Sequence, residues 1–289
     1  MSPAVVAVIV GVGIVAAGSL ILARISARLR REVEAANHER DAANALKNHF
    51  VAMVSHELRT PLTSIAGFSE TLLGAWRTLP ADEVDEFLTH ITKQAGYLGD
   101  LVEDILVIPR LEAGRLQLFP ETMDVTRLVH DTGAMIFPPG TGGRASVSIP
   151  GGVEAWGDPR RAQQVVRNLL ENARKYGGDQ VLVEGFSYGD HFVVVVSDNG
   201  PGVPPGAVGI IFEHFEQLSK GDSRSSSGIG LGLPIARRLA RAMGGDVWYE
   251  RRFPTGSRFC FSIPVSEEAY TRIVARRELE EAEGVGAAR

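Results

Sequence analysis

A single cysteine, Cys260, in 289 residues excludes any disulfide within the chain. It stands in the apolar run RFCFSIP, where a free thiol reads as a small buried hydrophobe. Net charge is also scarce. The chain carries 30 Lys and Arg against 35 Asp and Glu, a formal −5, and has no long like-charge block. Neither a global field nor a basic arm draws it toward nucleic acid. No internal repeat is visible. No Gly-Lys-Ser/Thr triplet follows the glycine-rich stretches, which excludes a P-loop, and no strand leads directly into the second of them, which excludes a Rossmann start. No Lys or Arg occurs in Met1-Ser2-Pro3, where a cleaved signal peptide carries its basic start.

What is present begins with an uncharged run, AVVAVIVGVGIVAAGSLILA, over Ala4 to Ala23. As a helix at ~1.5 Å per residue it spans roughly the 30 Å of a bilayer core. Arg24, Arg28, Arg30 and Arg31 lie just beyond it. The positive-inside rule then expects an uncleaved single-pass anchor in the inner (plasma) membrane, with everything after residue 24 cytoplasmic. On that expectation about three residues lie outside, too few for an extracytoplasmic sensor domain.

Five segments are expected: an anchor over 1–24, a polar helical linker over 25–46, a helical hairpin over 47–113, an α/β domain over 114–265, and a tail over 266–289. In the hairpin, Phe50, Val51, Val54, Leu58, Leu62, Ile65 and Phe68 mark one apolar stripe. GAWRTLPAD breaks the pattern, with Asp82 the expected cap of the second hairpin helix. A second stripe runs through Val84, Phe87, Leu88, Ile91, Ala95, Leu98, Leu101, Val102 and Ile105. One hairpin cannot bury both stripes, so two chains pairing as a four-helix bundle are expected. Beyond RLEAGRL, the runs ASVSI, QVLVEGF, HFVVVVSD and RFCFSI alternate with helical segments. This is an α+β pattern with a mostly antiparallel sheet and helices on one face. From Ser266 no strong apolar stripe remains, and a solvated tail is expected.

Advancing ~100° per residue, the first stripe centres at about −20°, His56 falls at about 140° and Thr60 at about 180°. Both then face solvent rather than the core. An exposed imidazole is a competent nucleophile if a carboxylate takes its second ring proton, and Glu57 is next in the chain. Pro61 removes the N–H that would bond the carbonyl of Glu57, so a bend is expected there. A lone His-Glu pair is a weak signal by itself. Downstream, VSDNGPGV runs a strand into Asp198, Asn199, Gly200, Pro201 and Gly202, and a carboxylate at a strand end can accept from an exocyclic amine. Gly228, Gly230 and Gly232 precede a helix, whose N-terminal N–H groups and dipole suit an anion. Asn168 and Asn172 share a face of the helix QQVVRNLLENARKYG. They read either as a plain polar face or as amide oxygens for Mg²⁺, with Lys175 in reach of a phosphate.

Together these residues resemble a bacterial sensor histidine kinase of two-component signalling, over about residues 44 to 265. FVAMVSHELRTPLTSIAGFSETLL is similar to the phospho-acceptor box of the HisKA-type dimerisation domain, and NLLENARKYG to the asparagine box. VSDNGPGVP, IFEHFEQ and GIGLGL are similar to the first glycine, phenylalanine and second glycine boxes of a GHKL-type ATP-binding domain. The resemblance implies a helical hairpin followed by a Bergerat-type α/β sandwich with a mixed sheet and helices on one face. It implies ATP and Mg²⁺, a homodimer, and a response-regulator receiver domain as partner. His56 would take the γ-phosphoryl group, Glu57 act as general base, and Thr60 position water for dephosphorylating the partner. Asn172, with Asn168, would hold Mg²⁺, and Lys175 and Tyr176 would contact nucleotide. Asp198 would bind the adenine amine, shaped by Gly200 and Gly202. Gly228, Gly230 and Gly232 would hinge a lid over about 205–227, which Phe212 and Phe215 pack against the body.

Three departures accompany the match. No HAMP-type module or paired transmembrane helices precede the acceptor helix. Ile108-Pro109 stands where relatives commonly show Leu-Ser, and Pro109 is expected to kink the second hairpin helix near the domain junction, which either sets the interdomain angle or ends the bundle a turn early. Two rival readings stay open at this point: a GHKL-type ATPase without self-phosphorylation, and a scaffold that binds nucleotide but has lost catalysis.

Overall fold

The computed structural model describes residues 51–113, 115–138, 145–213 and 230–282, and isolated positions between 28 and 48. Contacts divide the chain into Met1–His56 and Glu57–Arg289. In the first unit, the isolated described positions and residues 51–56 are helical. The apolar run Ala4 to Ala23 lies outside the described residues, as do Phe215 and Gly228. Among the described residues, no helix is long and apolar enough to cross a membrane.

The second unit opens with helix α1, residues 57–75, and continues through a short turn into α2, Ala81–Glu112. The two stripes meet through Phe68, whose ring lies 5.3 Å from Phe87 and stacks on His90 at 5.1 Å. Pro80 precedes α2, and no described side chain caps it. Asp82 therefore sits in the first turn, where its charge meets the positive end of the helix dipole. Pro109 is accommodated inside α2, which runs on to Glu112. Within one chain the stripes are only partly covered. Leu62, Trp76, Leu88, Val102 and Leu106 stay exposed, and Leu73 is 82% exposed.

The α/β domain comprises β1 Glu121–Asp124, α3 Val125–Ile136, β2 Ala145–Ser148, β3 Glu154–Gly157, α4 Pro159–Tyr176, β4 Val181–Tyr188 and β5 His191–Asp198. A short 3₁₀ turn, α5 Gly232–Ala242, β6 Asp246–Arg251, β7 Ser257–Pro264 and α6 Glu267–Ala282 complete it. The main sheet has the order β2-β4-β5-β7-β6, parallel only between β2 and β4. Beside it stands a second, two-stranded sheet of β1 and β3 that the strand pattern did not foretell. Asp124 and Asp158 start α3 and α4 as N-caps, accepting from Arg127 N and Arg161 N. Pro159, at the first position of α4, has no N–H to leave unsatisfied there.

The run HFVVVV fits a strand covered on both faces, and β5 holds the sheet's centre. Val194 and Val196 pair with Phe261 and Phe259, and all four are fully buried. Leu169 of α4 and Ile235 and Leu239 of α5 are also fully buried, and each such side chain is worth about 1.5–3 kcal/mol relative to exposure. On the opposite parity Val193, Val195 and Cys260 form a smaller cluster under Trp248. Burial pushes the Cys260 thiol up to about 12, in keeping with an inert hydrophobe.

The C-terminal segment departs from the expected tail. Residues 267–282 form α6, with Ala269 fully buried and Arg272 Nη2 2.7 Å from Asp190 Oδ1. Arg277 donates to the carbonyls of Gly244 and Gly245, just beyond the end of α5. Guanidinium contacts, the buried Ala269 and the half-buried Tyr270, Ile273 and Val274 hold the helix, a mixture that leaves no strong apolar stripe to read.

Candidate active site

His56 is exposed on its helical segment, and Thr60 is exposed one turn later in α1. Glu57 is half-buried. Its Oε2 accepts a hydrogen bond from the hydroxyl of Tyr97 on α2 at 3.4 Å, a partner forty residues away that no local pattern reveals. Pro61 is buried within helical backbone.

In the α/β domain the predicted residues converge on the edge formed by α4, the end of β5 and the start of α5. Asp198 is 2% exposed at the end of β5. Its Oδ1 accepts from Gly200 N at 2.9 Å and Ser257 N at 3.0 Å, and Arg252 Nη1 donates to its carbonyl at 3.1 Å. Backbone crowds this carboxylate so closely that side chains are excluded. A Cβ on Gly200 would lie 2.3 Å from the carbonyl oxygen of Tyr176, and one on Gly256, at φ 123°, 2.0 Å from that of Asp198. Gly202 takes φ 75° as the chain leaves the strand, and Val203 N then donates to the Tyr249 hydroxyl at 3.2 Å. Gly256 and Ser257 precede and begin β7, 58 and 59 residues beyond Asp198, and the glycine-box pattern alone did not point to them.

Asn168 is 7% exposed, and its Nδ2 donates to Gly232 O at 3.0 Å. This bond ties α4 to the first residue of α5 and leaves the amide oxygen as the group able to coordinate or accept. Asn172, half-buried, lies one turn later on the same face of α4. Lys175 is exposed with Nζ 4.0 Å from Glu171 Oε2, and Tyr176 is exposed, its phenol raised by burial of part of the ring. No described side chain caps α5, and its first turn holds no acid. Its leading N–H groups thus suit an anion. Gly230, at φ 72°, sits just ahead of it.

Phe212 is half-buried beneath the guanidinium of Arg237 on α5, 4.7 Å from ring centroid to Cζ. Arg237 Nε also donates to Asp246 Oδ1 at 3.1 Å, as does Arg241 Nε. Burial works to raise Asp246, but the hydrogen bonds from Arg241 and Arg237 outweigh it and hold the carboxyl below the usual aspartate range. A depressed folded-state value contributes stability that is complete above the ordinary pKa and lost as pH falls through the depressed one. The melting-temperature gap between the parent and Asp246→Asn should therefore be constant from pH 7 to about 4 and close below that. A gap that widens on acidification would contradict this.

A polar seam joins α2 to α4. Gln164 Nε2 donates to Asp104 Oδ1 at 2.6 Å, and Arg167 Nη1 lies 2.6 Å from Asp100 Oδ2. Burial pushes Asp104 up, opposed by the Gln164 bond and the Arg167 charge. The helix that carries Asn168 and Asn172 is thereby fastened to the second helix of the hairpin.

The donor set suits the expected ligands. A buried strand-end carboxylate in a backbone-lined cleft fits an exocyclic amine, and an uncapped helix start fits phosphate. Among the described residues no cluster of three His, Cys, Asp or Glu could hold a metal ion by itself. A Mg²⁺ here would take amide oxygens of Asn172 and Asn168 and share phosphate oxygens, in line with its habit.

Comparison with known proteins agrees with this geometry. Residues 46–114 match the His Kinase A (phospho-acceptor) domain, and residues 157–267 match the histidine kinase-, DNA gyrase B- and HSP90-like ATPase. Over 231 residues, 77% of the chain, it is 34% identical to the circadian input-output histidine kinase CikA of Synechococcus elongatus, of which it spans 30%. It is 32% identical to the histidine protein kinase DivJ of Caulobacter vibrioides, covering 85% of this chain and 42% of that protein. Among solved structures, full-length ShkA in complex with AMPPNP is similar with a TM-score of 0.53 and 28% identity, over 74% of this chain and 45% of that one. The chain thus spans less than half the length of these relatives. With both domains matched in this order, the chain belongs to the two-component sensor histidine kinases.

Proposed function

We propose that this chain is an ATP-dependent protein histidine kinase that phosphorylates His56 and passes the phosphoryl group to an aspartate of a response regulator. The observation that carries the reading is that one chain holds an exposed His56 followed by Glu57 on a helix and, in its α/β domain, a buried, glycine-walled Asp198 beside an uncapped helix start.

In this mechanism the Asp198 carboxylate accepts from the adenine amine, with Gly200 and Gly202 shaping the pocket through the close backbone approach they permit. Lys175, Tyr176 and the N–H groups of α5 receive the phosphates. Asn172 and Asn168 would hold Mg²⁺, which supplies neutralisation of charge on the phosphates. His56 attacks the γ-phosphorus through one ring nitrogen as the bond from phosphorus to the β–γ bridging oxygen breaks and ADP leaves. Glu57 takes the proton from the other ring nitrogen. Such a transfer needs in-line placement and charge stabilisation more than covalent help. A regulator aspartate then attacks the phosphohistidine, and Thr60, one turn away, orients water when the regulator is dephosphorylated. Phe212, clamped under Arg237, anchors the body end of the lid, with Phe215 and the hinge glycines Gly228, Gly230 and Gly232 completing it.

The exposed row of Leu62, Leu73, Trp76, Leu88, Val102 and Leu106 supports pairing with a second copy as a four-helix bundle. The uncharged run 4–23 and the arginines behind it support a single-pass anchor with the catalytic part in the cytoplasm.

Incubation of residues 24–289 with γ-labelled ATP and Mg²⁺ tests the reading. The expected result is label on protein that acid removes and alkali leaves. Hydrolysis of ATP with unlabelled protein would favour the plain ATPase.

A further inference from the structure

The sequence sets Glu57 beside His56, and the structure adds a contact from the other hairpin helix. Tyr97 of α2 is 40% exposed, and its hydroxyl reaches Glu57 Oε2 at 3.4 Å. The charged groups that bear on this phenol are Glu57 of α1, Glu171 of α4 and Asp104 of α2 itself, all carboxylic acids. Burial of the ring, then the charge of Glu57, pushes the phenol up to about 12. It therefore stays protonated at physiological pH and can only donate to the carboxylate.

We propose that Tyr97 is a positioning residue for phosphoryl transfer: its hydroxyl takes one oxygen of the Glu57 carboxylate and fixes the rotamer from which that group receives the histidine proton. The inference rests on Glu57 acting as the base. It carries a physical consequence that packing alone does not. A glutamate on a helix surface samples several rotamers, and a base is useful only in those that meet the proton. A donor from the facing helix biases that choice without touching ATP.

The test uses the full chain, with initial rates of acid-labile labelling measured against ATP concentration for the parent, Tyr97→Phe, Glu57→Gln and the double variant. Tyr97→Phe keeps the ring and removes only the hydroxyl. The expected result is a fall of about tenfold in kcat with an unchanged KM for ATP and an unchanged melting temperature. In the Glu57→Gln background the same substitution should cost nothing further. Parental kcat in Tyr97→Phe, alongside an impaired Glu57→Gln, would overturn the role of Tyr97 alone. So would a full tenfold loss added to Glu57→Gln, or a loss accompanied by a lower melting temperature and a higher KM. Parental labelling in Glu57→Gln would overturn the base assignment and the proposal together.

Discussion

His56→Gln is expected to abolish phosphoryl incorporation, by at least about a thousand-fold, while ATP affinity stays within about twofold of the parent. Removing a nucleophile leaves no other group to form the covalent bond, and such losses dwarf those from positioning residues. Glutamine keeps a polar, similarly sized side chain on an exposed helical position, so the fold should not respond. Binding should be independent because the proposed nucleotide cleft is built by α4, β5 and α5 around Asp198. Labelling and equilibrium binding of an ATP analogue on the same preparation check both halves. Incorporation that survives the substitution would assign the acceptor elsewhere.

Gly256→Ala should be among the most damaging single-methyl changes in the α/β domain. The added carbon would meet the carbonyl oxygen of Asp198 at 2.0 Å, and φ 123° is strained for any residue with a Cβ. Backbone strain and overpacking each cost about 1–3 kcal/mol. Their sum is a large part of a domain's typical stability of about 5–15 kcal/mol. Melting should fall by roughly 5–20 °C, at about 2–4 °C per kcal/mol for a unit of this size. Relief of the clash must move Asp198 or Ser257, so nucleotide affinity should drop at least about tenfold. Gly151→Ala, in a turn where an added carbon meets nothing within 4 Å, is the matched control and should change neither. Equal behaviour of the two variants would show that the wall around Asp198 is softer than the backbone geometry states.

Much of the architecture was legible because it depends on local periodicity. The two stripes predicted the hairpin, and the β-branched runs fell on β2, β4, β5 and β7. What escaped depends on contacts between distant residues. The β1–β3 sheet uses strands of four residues, too short for alternation to stand out. Helix α6 docks through Arg272 to Asp190 and Arg277 to the end of α5, polar links that look like solvated charge in sequence. At the site, the motif residues Asn168, Asn172 and Asp198 were visible, but their neighbours were not. Asn168 spends its amide donor on Gly232, 64 residues away, and Asp198 depends on Ser257, 59 residues away. Tyr97 is 40 residues from Glu57, and only the folded hairpin joins them. The expected lid residues Phe215 and Gly228 fall outside the described residues, whereas Phe212 is placed by Arg237, which no motif named.

The most direct test of the account is to locate the phosphoryl group itself. The chain is incubated with ATP and Mg²⁺, digested at alkaline pH to preserve phosphohistidine, and its peptides are sequenced by mass spectrometry. The account predicts one modified site, the imidazole of His56 within SHELRTP. Phosphate on a different residue, or ATP turnover with every peptide unmodified, would contradict it.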